Sequence, residues 1–177
     1  MSEFYPTCLE DTEEHNYSES GGKVRYSYEE IHDLVRRGAS MLREAKFAPD
    51  YIVSLAGGGL IPARMLRSYL DVPILNMTVT SYEGDSQTPI QDPVILQSID
   101  PEIIKNKKVL IVDEVDDTRA TIRKVVGEIY SIVEEWGIFV VHNKKKRKDY
   151  LVGPHVTYIA CENTDGNLWI EYPWDLI

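Results

Sequence analysis

The sequence has few cysteines, no long apolar run and fewer basic than acidic residues, and each shortage excludes a class of protein. Two cysteines among 177 residues form neither a metal-binding pattern nor a disulfide framework. No apolar run reaches the roughly 18 residues of a membrane span, and the acidic N-terminus lacks a signal peptide's apolar segment. With 19 basic against 29 acidic residues, the chain is unsuited to wrapping nucleic acid or docking on an anionic membrane. We therefore expect a cytoplasmic protein with neither a nucleic-acid nor a membrane partner.

Much of the negative charge lies at the N-terminus. The first 22 residues contain six acids and no Lys or Arg, and a Gly-Gly pair closes the stretch. Such a composition is typical of a loosely packed arm. We predict an acidic N-terminal arm over 1–22 and a single domain over 23–177.

Helical and strand patterns alternate from Ser27 onward. Ser27 and Glu30 form a capping box that begins a helix ending before Pro49. Apolar runs predict strands at 51–55, 72–79, 108–112, 138–141 and 156–160, and helical periodicity predicts helices at 60–70 and 118–135. This alternation predicts an α/β domain with a central, mainly parallel sheet flanked by helices. Ligands of such sheets bind at the carboxyl ends of the strands.

The most informative stretch is VLIVDEVDDTRAT, residues 109–121, where a buried strand runs into a helix. Four carboxylates follow one another at the strand's end: Asp113, Glu114, Asp116 and Asp117. A polar loop with a helix N-cap is one interpretation, but so many carboxylates repel one another and need a cation or a polyol. Two adjacent carboxylates suit a vicinal diol, and the amides of the following helix N-terminus suit a phosphate. The pattern therefore predicts a ribose 5-phosphate site.

The same stretch resembles the 13-residue phosphoribosyl pyrophosphate (PRPP) motif of type I phosphoribosyltransferases, and the resemblance extends from about Tyr26 to Ile177. It is closest to the 6-oxopurine branch, particularly fungal and archaeal forms that end in a Trp…Pro-Trp-Asp segment. The resemblance implies the type I fold with a small hood and a mobile loop. It also implies a Mg²⁺-dependent homodimer that joins hypoxanthine, guanine or xanthine to PRPP. The products would be a purine nucleoside 5-monophosphate and pyrophosphate.

The resemblance assigns roles within the motif. Asp113 and Glu114 would hold the ribose hydroxyls, directly or through Mg²⁺, and Asp117 would act as general acid/base near purine N7. The 5-phosphate would be wrapped by the loop that follows: Asp117, Thr118, Arg119, Ala120 and Thr121. Arg119 stands where most relatives have Gly. A positive φ there would strain the Arg backbone, and its guanidinium would then lie near the phosphate.

Two further segments are assigned to the PRPP side. Gly57, Gly58 and Gly59 follow a strand and precede a helix, where glycines let backbone approach an anion, although a tight turn explains them equally well. The resemblance makes them the pyrophosphate loop, with Gly57 where relatives often have Lys or Arg. The polar, turn-rich residues 81–98 would be the mobile hood loop, with Ser81 and Tyr82 closing over the reacting centre to exclude water.

The residues assigned to purine binding lie in the C-terminal third of the chain. Lys144, at the end of a strand, would donate to purine O6, with Lys145 as the alternative; we expect Lys145 to Lys148 to form a solvated loop. The resemblance has Trp169 stack on the purine, the Ile170 backbone contact the base edge, and Asp175 lie near a second Mg²⁺ or the purine 2-position. Two alternatives stay open: a PRPP- or nucleotide-binding regulator without chemistry, and a transferase for another base.

Overall fold

The computed structural model describes residues 22–82 and 89–175, with backbone alone at residues 81, 82 and 89–91. All but the last residue of the predicted acidic arm lies outside this part. The helices and strands follow in this order: β1 (Lys23–Arg25), α1 (Tyr28–Glu44), β2 (Tyr51–Leu55), α2 (Leu60–Leu70), β3 (Ile74–Tyr82), β4 (Pro89–Gln97), α3 (Pro101–Ile104), β5 (Lys108–Asp116), α4 (Ala120–Ile129), β6 (Glu135–Lys145), β7 (Thr157–Asp165) and β8 (Trp169–Glu171).

A six-stranded sheet in the order β4-β3-β2-β5-β6-β7 forms the centre of the molecule. Its neighbouring strands are parallel except for the antiparallel pair β3 and β4, so the predicted α/β architecture is confirmed. From β2 the chain proceeds to β3 on one side, whereas from β5 it proceeds to β6 on the other. The carboxyl ends of β2 and β5 therefore flank the point where strand order reverses, which is the usual ligand site of open α/β sheets.

Helices cover both faces of the sheet. Leu110 and Val112 of β5 belong to the core shared with α1 and α2, whereas Val109 and Ile111 belong to the core shared with α4. Because both faces of β5 are covered, the strand is apolar at successive positions, as a central parallel strand requires. Among the described residues, no helix combines the length and apolar character needed to cross a membrane.

A small parallel sheet of β1 and β8 lies apart from the main sheet. Arg25 and Lys23 at its edge form ion pairs with Glu171, 2.8 and 3.2 Å long. The predicted capping box at the start of α1 is present, with the Ser27 hydroxyl accepting from the Glu30 amide and the Glu30 carboxylate accepting from the Ser27 amide. The C-terminal segment is thereby tied to the first residues of the domain.

The sequence prediction differs from the structure at several boundaries. The segment 81–98, predicted as a loop, contains the end of β3 and the whole of β4; residues 83–88 lie outside the described part. Pro89 and Pro93 are compatible with this strand because β4 lies at the edge of the sheet, where a missing N–H need not cost a ladder hydrogen bond. The helix predicted over 118–135 spans only Ala120–Ile129, because residues from Glu135 onward pair with β5.

Candidate active site

The glycine loop after β2 lies directly against the carboxyl end of β5. Gly57 has φ +110°, which glycine adopts without strain. A Cβ on Gly58 would overlap the Glu114 carboxylate, and one on Gly59 would lie 2.7 Å from the Val112 carbonyl oxygen. Side chains at these positions would displace the acidic strand end. These glycines thus allow close packing against the acidic strand end, while their approach to a bound anion and their role in binding pyrophosphate stay predictions.

Asp113 and Glu114 form a crowded pair of acids at this strand end. The Glu114 amide donates to Asp113 Oδ1 over 2.9 Å. Burial, followed by the nearby Glu114 charge, raises the pKa of Asp113 well above its ordinary range. Glu114 Oε2 is buried, and no donor among the described residues reaches it. A buried carboxylate oxygen without a donor is costly, so this pair is suited to an incoming hydroxyl or cation.

The donor chemistry of Asp113 and Glu114 fits Mg²⁺, which prefers oxygen ligands and is commonly held by one or two carboxylates, waters and substrate phosphates. The described residues contain no group of three or more His, Cys, Asp or Glu side chains arranged to bind a metal. Asp175, predicted as a third ligand, is therefore not brought into one cluster with the pair. Its carboxylate instead accepts from the Tyr172 amide over 3.1 Å.

Asp116 is a structural carboxylate, which corrects the idea that the whole acidic cluster requires an external partner. Its side chain is fully buried and pairs with Arg119 at 2.7 Å and with Lys148 at 3.4 Å. The Tyr158 hydroxyl donates to it over 2.6 Å. Burial and the Asp116 charge raise the pKa of Tyr158, so the phenol stays a donor. The chain's own cations thus offset this acid.

Arg119 begins helix α4 in a left-handed conformation, with φ 68° and ψ 12°. The positive φ anticipated for this position is therefore present. Its guanidinium donates to Asp116 and, over 3.3 Å, to the Tyr150 carbonyl oxygen, and it lies 4.9 Å from the centre of the Tyr158 ring. The guanidinium is thus committed to a buried cluster, which differs from the expected position beside a phosphate. The backbone conformation at a position does not determine where a long side chain will be buried.

The loop from Asp117 leads directly into the N-terminus of α4. The Thr118 hydroxyl accepts from the Ala120 amide over 3.4 Å, while Arg119, rather than Asp117 or Thr118, is the N-cap residue. The first amides of a helix have no intrahelical acceptor, and they carry the positive end of the helix dipole. The N-terminus of α4 therefore directly follows the loop predicted to wrap the 5-phosphate.

Three lysines of the KKKRK run face the acidic loop, although Lys145 to Lys148 were expected to be solvated. Lys144 Nζ lies 3.4 Å from Asp117 Oδ2, and Lys146 forms an ion pair with the same carboxylate. Lys148 donates to the carbonyl oxygens of Asp116 and Asp117 over 2.6 and 2.7 Å, and burial lowers its pKa. Lys145 is exposed, so Lys144 is the residue that faces the site.

Partly buried and exposed side chains alternate along the basic run, so the two-residue period of strand β6 continues beyond its end. Lys144, Lys146 and Lys148 are partly buried, while Lys145 and Arg147 are exposed. A two-residue period read onward from the strand would have separated these two sets in the sequence. A run of five basic residues conceals that period, because every position has the same charge.

The base-side residues lie on β8 and the turn that follows. Trp169 is 61% exposed, while the Ile170 side chain is buried in the core. Trp174 stacks on Tyr172 with ring centres 4.8 Å apart and planes 7° apart. The Tyr172 hydroxyl donates to the Glu114 carbonyl oxygen over 3.0 Å, which joins this segment to the acidic strand end. Sequence reasoning missed Tyr172, Tyr158 and His142, because each depends on a contact distant in the chain.

A glycine loop, adjacent acids and a helix N-terminus thus meet at the switch point of an open α/β sheet. This combination defines a class of proteins that bind a phosphorylated ribose, with cations and an exposed aromatic nearby. Residues 27–175 match the family model described as the phosphoribosyl transferase domain, and the chain belongs to this family. The predicted type I fold is confirmed.

Known relatives agree with the predicted branch. The chain is 32% identical to hypoxanthine-guanine phosphoribosyltransferase of Schizosaccharomyces pombe, covering 86% of this chain and 89% of that protein. It is 33% identical to xanthine phosphoribosyltransferase 1 of Saccharomyces cerevisiae, covering 86% and 90%. Among solved structures, a hypothetical protein from Neisseria gonorrhoeae with bound ppGpp is 33% identical, with TM-score 0.80 and coverage of 90% and 93%. The resemblance to 6-oxopurine transferases, fungal ones included, is confirmed.

Proposed function

We propose that the protein is a Mg²⁺-dependent purine salvage enzyme that joins a 6-oxopurine to PRPP and releases pyrophosphate. The observation that carries this proposal is the half-buried pair of acids at the end of β5, in the loop that leads into α4. Glu114 presents a buried oxygen without a donor among the described residues, and Asp113 beside it has a raised pKa. The identity to curated hypoxanthine, guanine and xanthine transferases supports the choice of base.

On the ribose side, the Glu114 and Asp113 carboxylates accept from the two ribose hydroxyls or hold Mg²⁺ with water and substrate oxygens completing its shell. The 5-phosphate lies against the amides at the start of α4, with Thr118 and Thr121 donating hydroxyls. The amides of Gly57 to Gly59 face the pyrophosphate. Bound Mg²⁺ would neutralise part of the charge on that leaving group.

On the base side, the purine attacks C1 of the ribose and loses its N7 proton to Asp117. Lys144 and Lys146 hold this carboxylate in the structure without substrate. Lys144 then exchanges Asp117 for purine O6, an acceptor that adenine lacks. Trp169 stacks on the ring, the Ile170 backbone contacts the base edge, and Asp175 reads the purine 2-position. Closure of Ser81 and Tyr82 over the site excludes water from the cationic transition state.

Pyrophosphate release with Mg²⁺, PRPP and each of hypoxanthine, guanine, xanthine and adenine tests the proposal directly. We expect turnover with at least one 6-oxopurine and none with adenine. Asp117→Asn should slow nucleotide formation by about 100-fold or more, the usual size of a general acid/base contribution, while PRPP affinity changes little. Asp33→Asn, which loses an exposed pair to Arg36 on α1, is the matched control and should keep full activity. Folded protein without turnover on any base would refute the enzymatic proposal.

A second candidate is a regulator that binds nucleotides on the same fold, and it is favoured by the ppGpp bound to the similar Neisseria gonorrhoeae protein. ppGpp is a guanine nucleotide, so the phosphate amides and the base-side residues would recognise it together. Calorimetry that finds ppGpp binding in a protein without turnover would favour the regulator. Turnover with inhibition by ppGpp that PRPP relieves would instead make ppGpp a competitor at the active site.

Two further proposals concern assembly and location. The resemblance implies a homodimer, and sedimentation at micromolar concentration tests it, because a sole species of 20.3 kDa would exclude the dimer. We also propose a cytoplasmic location, where PRPP and purine bases would be the small-molecule partners. Fractionation of cells that express the tagged chain would test this location.

A further inference from the structure

Tyr172 is a buried side chain that lies between the end of β5 and the base segment, which is β8 with the turn that follows it (residues 169–175). It follows β8 directly, and its side chain is 6% exposed although Trp169, three residues earlier, is 61% exposed. Its hydroxyl lies 3.0 Å from the Glu114 carbonyl oxygen and 2.8 Å from His142 Nδ1. Burial, followed by the charges of Glu114 and Asp113, raises the pKa of Tyr172, so the hydroxyl keeps its proton.

The hydroxyl supplies the Glu114 carbonyl with a donor at the end of β5, beyond the residues that pair with β2. Strand β2 pairs with β5 only as far as Val112. A carbonyl in a strand needs a donor to hold its peptide plane. Because the Glu114 side chain is attached to the Cα that bears this carbonyl, its direction depends on the orientation of that peptide.

His142 determines which way the Tyr172 hydroxyl points. A carbonyl oxygen only accepts, so the single phenolic proton goes to Glu114, and the second contact requires that His142 Nδ1–H donates to the phenolic oxygen. The ring is fully buried, and burial lowers the pKa of His142 to about 4, so the imidazole is neutral at pH 7. Its Nε2 then carries no proton; this atom lies 3.5 Å from the Glu162 carboxylate and forms no hydrogen bond among the described residues.

We propose that Tyr172, oriented by His142, is a positioning residue that holds Glu114 in its ribose-binding direction and links it to the base segment. The role rests on the proposed function, since it acts on the carboxylate that receives the ribose. The Tyr172 ring also stacks on Trp174, and its backbone amide donates a hydrogen bond to the Asp175 carboxylate. The Tyr172 side chain therefore transmits a movement of the base segment to Glu114.

Calorimetric PRPP binding without a base tests this role, because no turnover intervenes. Tyr172→Phe keeps the ring and its stacking but removes the hydroxyl, and we expect PRPP affinity to fall about tenfold, or about 1.4 kcal/mol. Tyr26→Phe is the control, because Tyr26 packs 4.5 Å from the His142 ring and donates to Glu162 without contacting Glu114. It should change the affinity less than threefold.

A structural role alone would lower the unfolding temperature of Tyr172→Phe and leave PRPP affinity of the folded protein unchanged, which would overturn the proposal. Nitrogen-15 NMR of labelled histidine, assigned with His142→Gln, gives a readout independent of binding. We expect the Nδ1–H tautomer in the parent protein, and an Nε2–H tautomer would contradict the role. A parent that binds no PRPP would overturn the proposed function itself, whereas binding equal in parent and Tyr172→Phe overturns only the positioning role.

Discussion

Replacing Arg119 separates two opposing effects at the start of α4. The residue has φ 68°, a left-handed conformation that costs a side-chain-bearing residue roughly 1–2 kcal/mol. Against this cost stand a 2.7 Å pair with the fully buried Asp116, a bond to the Tyr150 carbonyl oxygen and the Tyr158 ring. Breaking a buried pair costs about 3–5 kcal/mol when one charge is left alone. Here Lys148 and Tyr158 still contact Asp116, so Arg119→Ala should cost about 2–4 kcal/mol.

Arg119→Gly loses the same contacts but accepts the positive φ freely. We therefore expect the Gly variant to be about 1 kcal/mol more stable than the Ala variant, the reverse of their order in a helix interior. Urea unfolding at pH 7 with equal m-values measures both differences. In both variants the loop that follows Asp117 loses an anchor, so KM for PRPP should rise.

Arg123→Ala provides the control on the same helix. Arg123 forms an exposed pair with Asp92, 3.1 Å long, and such pairs contribute about 0–1 kcal/mol. The variant should therefore unfold close to the parent. Equal stability of the Ala and Gly variants would refute the left-handed backbone, and parental stability in both would refute the anchoring role of the guanidinium.

Three further predictions follow from neighbouring residues. Gly58→Ala should weaken PRPP binding at least about tenfold, because the new methyl overlaps the Glu114 carboxylate. Gly127→Ala has open space around its new methyl and should stabilise the protein by about 0.5–1 kcal/mol. Equal effects of the two substitutions on PRPP binding and on stability would contradict the close packing of Gly58 against Glu114. Lys144→Gln should raise KM for hypoxanthine about tenfold while Lys145→Gln leaves it within about twofold, and the reverse order would refute the assignment. His142 has a folded pKa of about 4, below its unfolded value, so the unfolded chain binds more protons between pH 6.5 and 4. As pH falls through that window, the free energy of unfolding should therefore decrease more steeply in the parent than in His142→Gln, by up to about 1.4 kcal/mol per pH unit. Urea unfolding at several pH values measures this difference. Parallel plots of unfolding free energy against pH would show that the ring is not buried in its neutral form.

Local pattern was a reliable guide where local chemistry decides the outcome. The capping box at Ser27 and the apolar strand that leads to Asp113 are both present as the sequence predicted. Each depends on residues adjacent in the chain or on the requirement that a central strand be apolar on both faces. The prediction of a ribose site at the end of β5 rests on the charges of that strand end.

Contacts between distant residues required the tertiary structure. Asp116 looks like its neighbours in sequence, and only the arrival of Lys148 and Tyr158 makes it a structural acid. The β4 strand was missed because its prolines are tolerated only at an edge, and edge position is a property of the assembled sheet. Element boundaries shifted for the same reason, since pairing with β5 extends β6 to residues that look helical in isolation.

By itself, then, the sequence determined the α/β class, the acidic strand end, the helix N-terminus beside it and the family. It did so because burial, repulsion between adjacent carboxylates and helix capping act over a few residues. The tertiary structure alone decided which acids remain available to a ligand, which lysines face them, and that Tyr172 links Glu114 to the base segment. These depend on which side chains fold together from positions up to 58 residues apart, and no local pattern encodes that proximity.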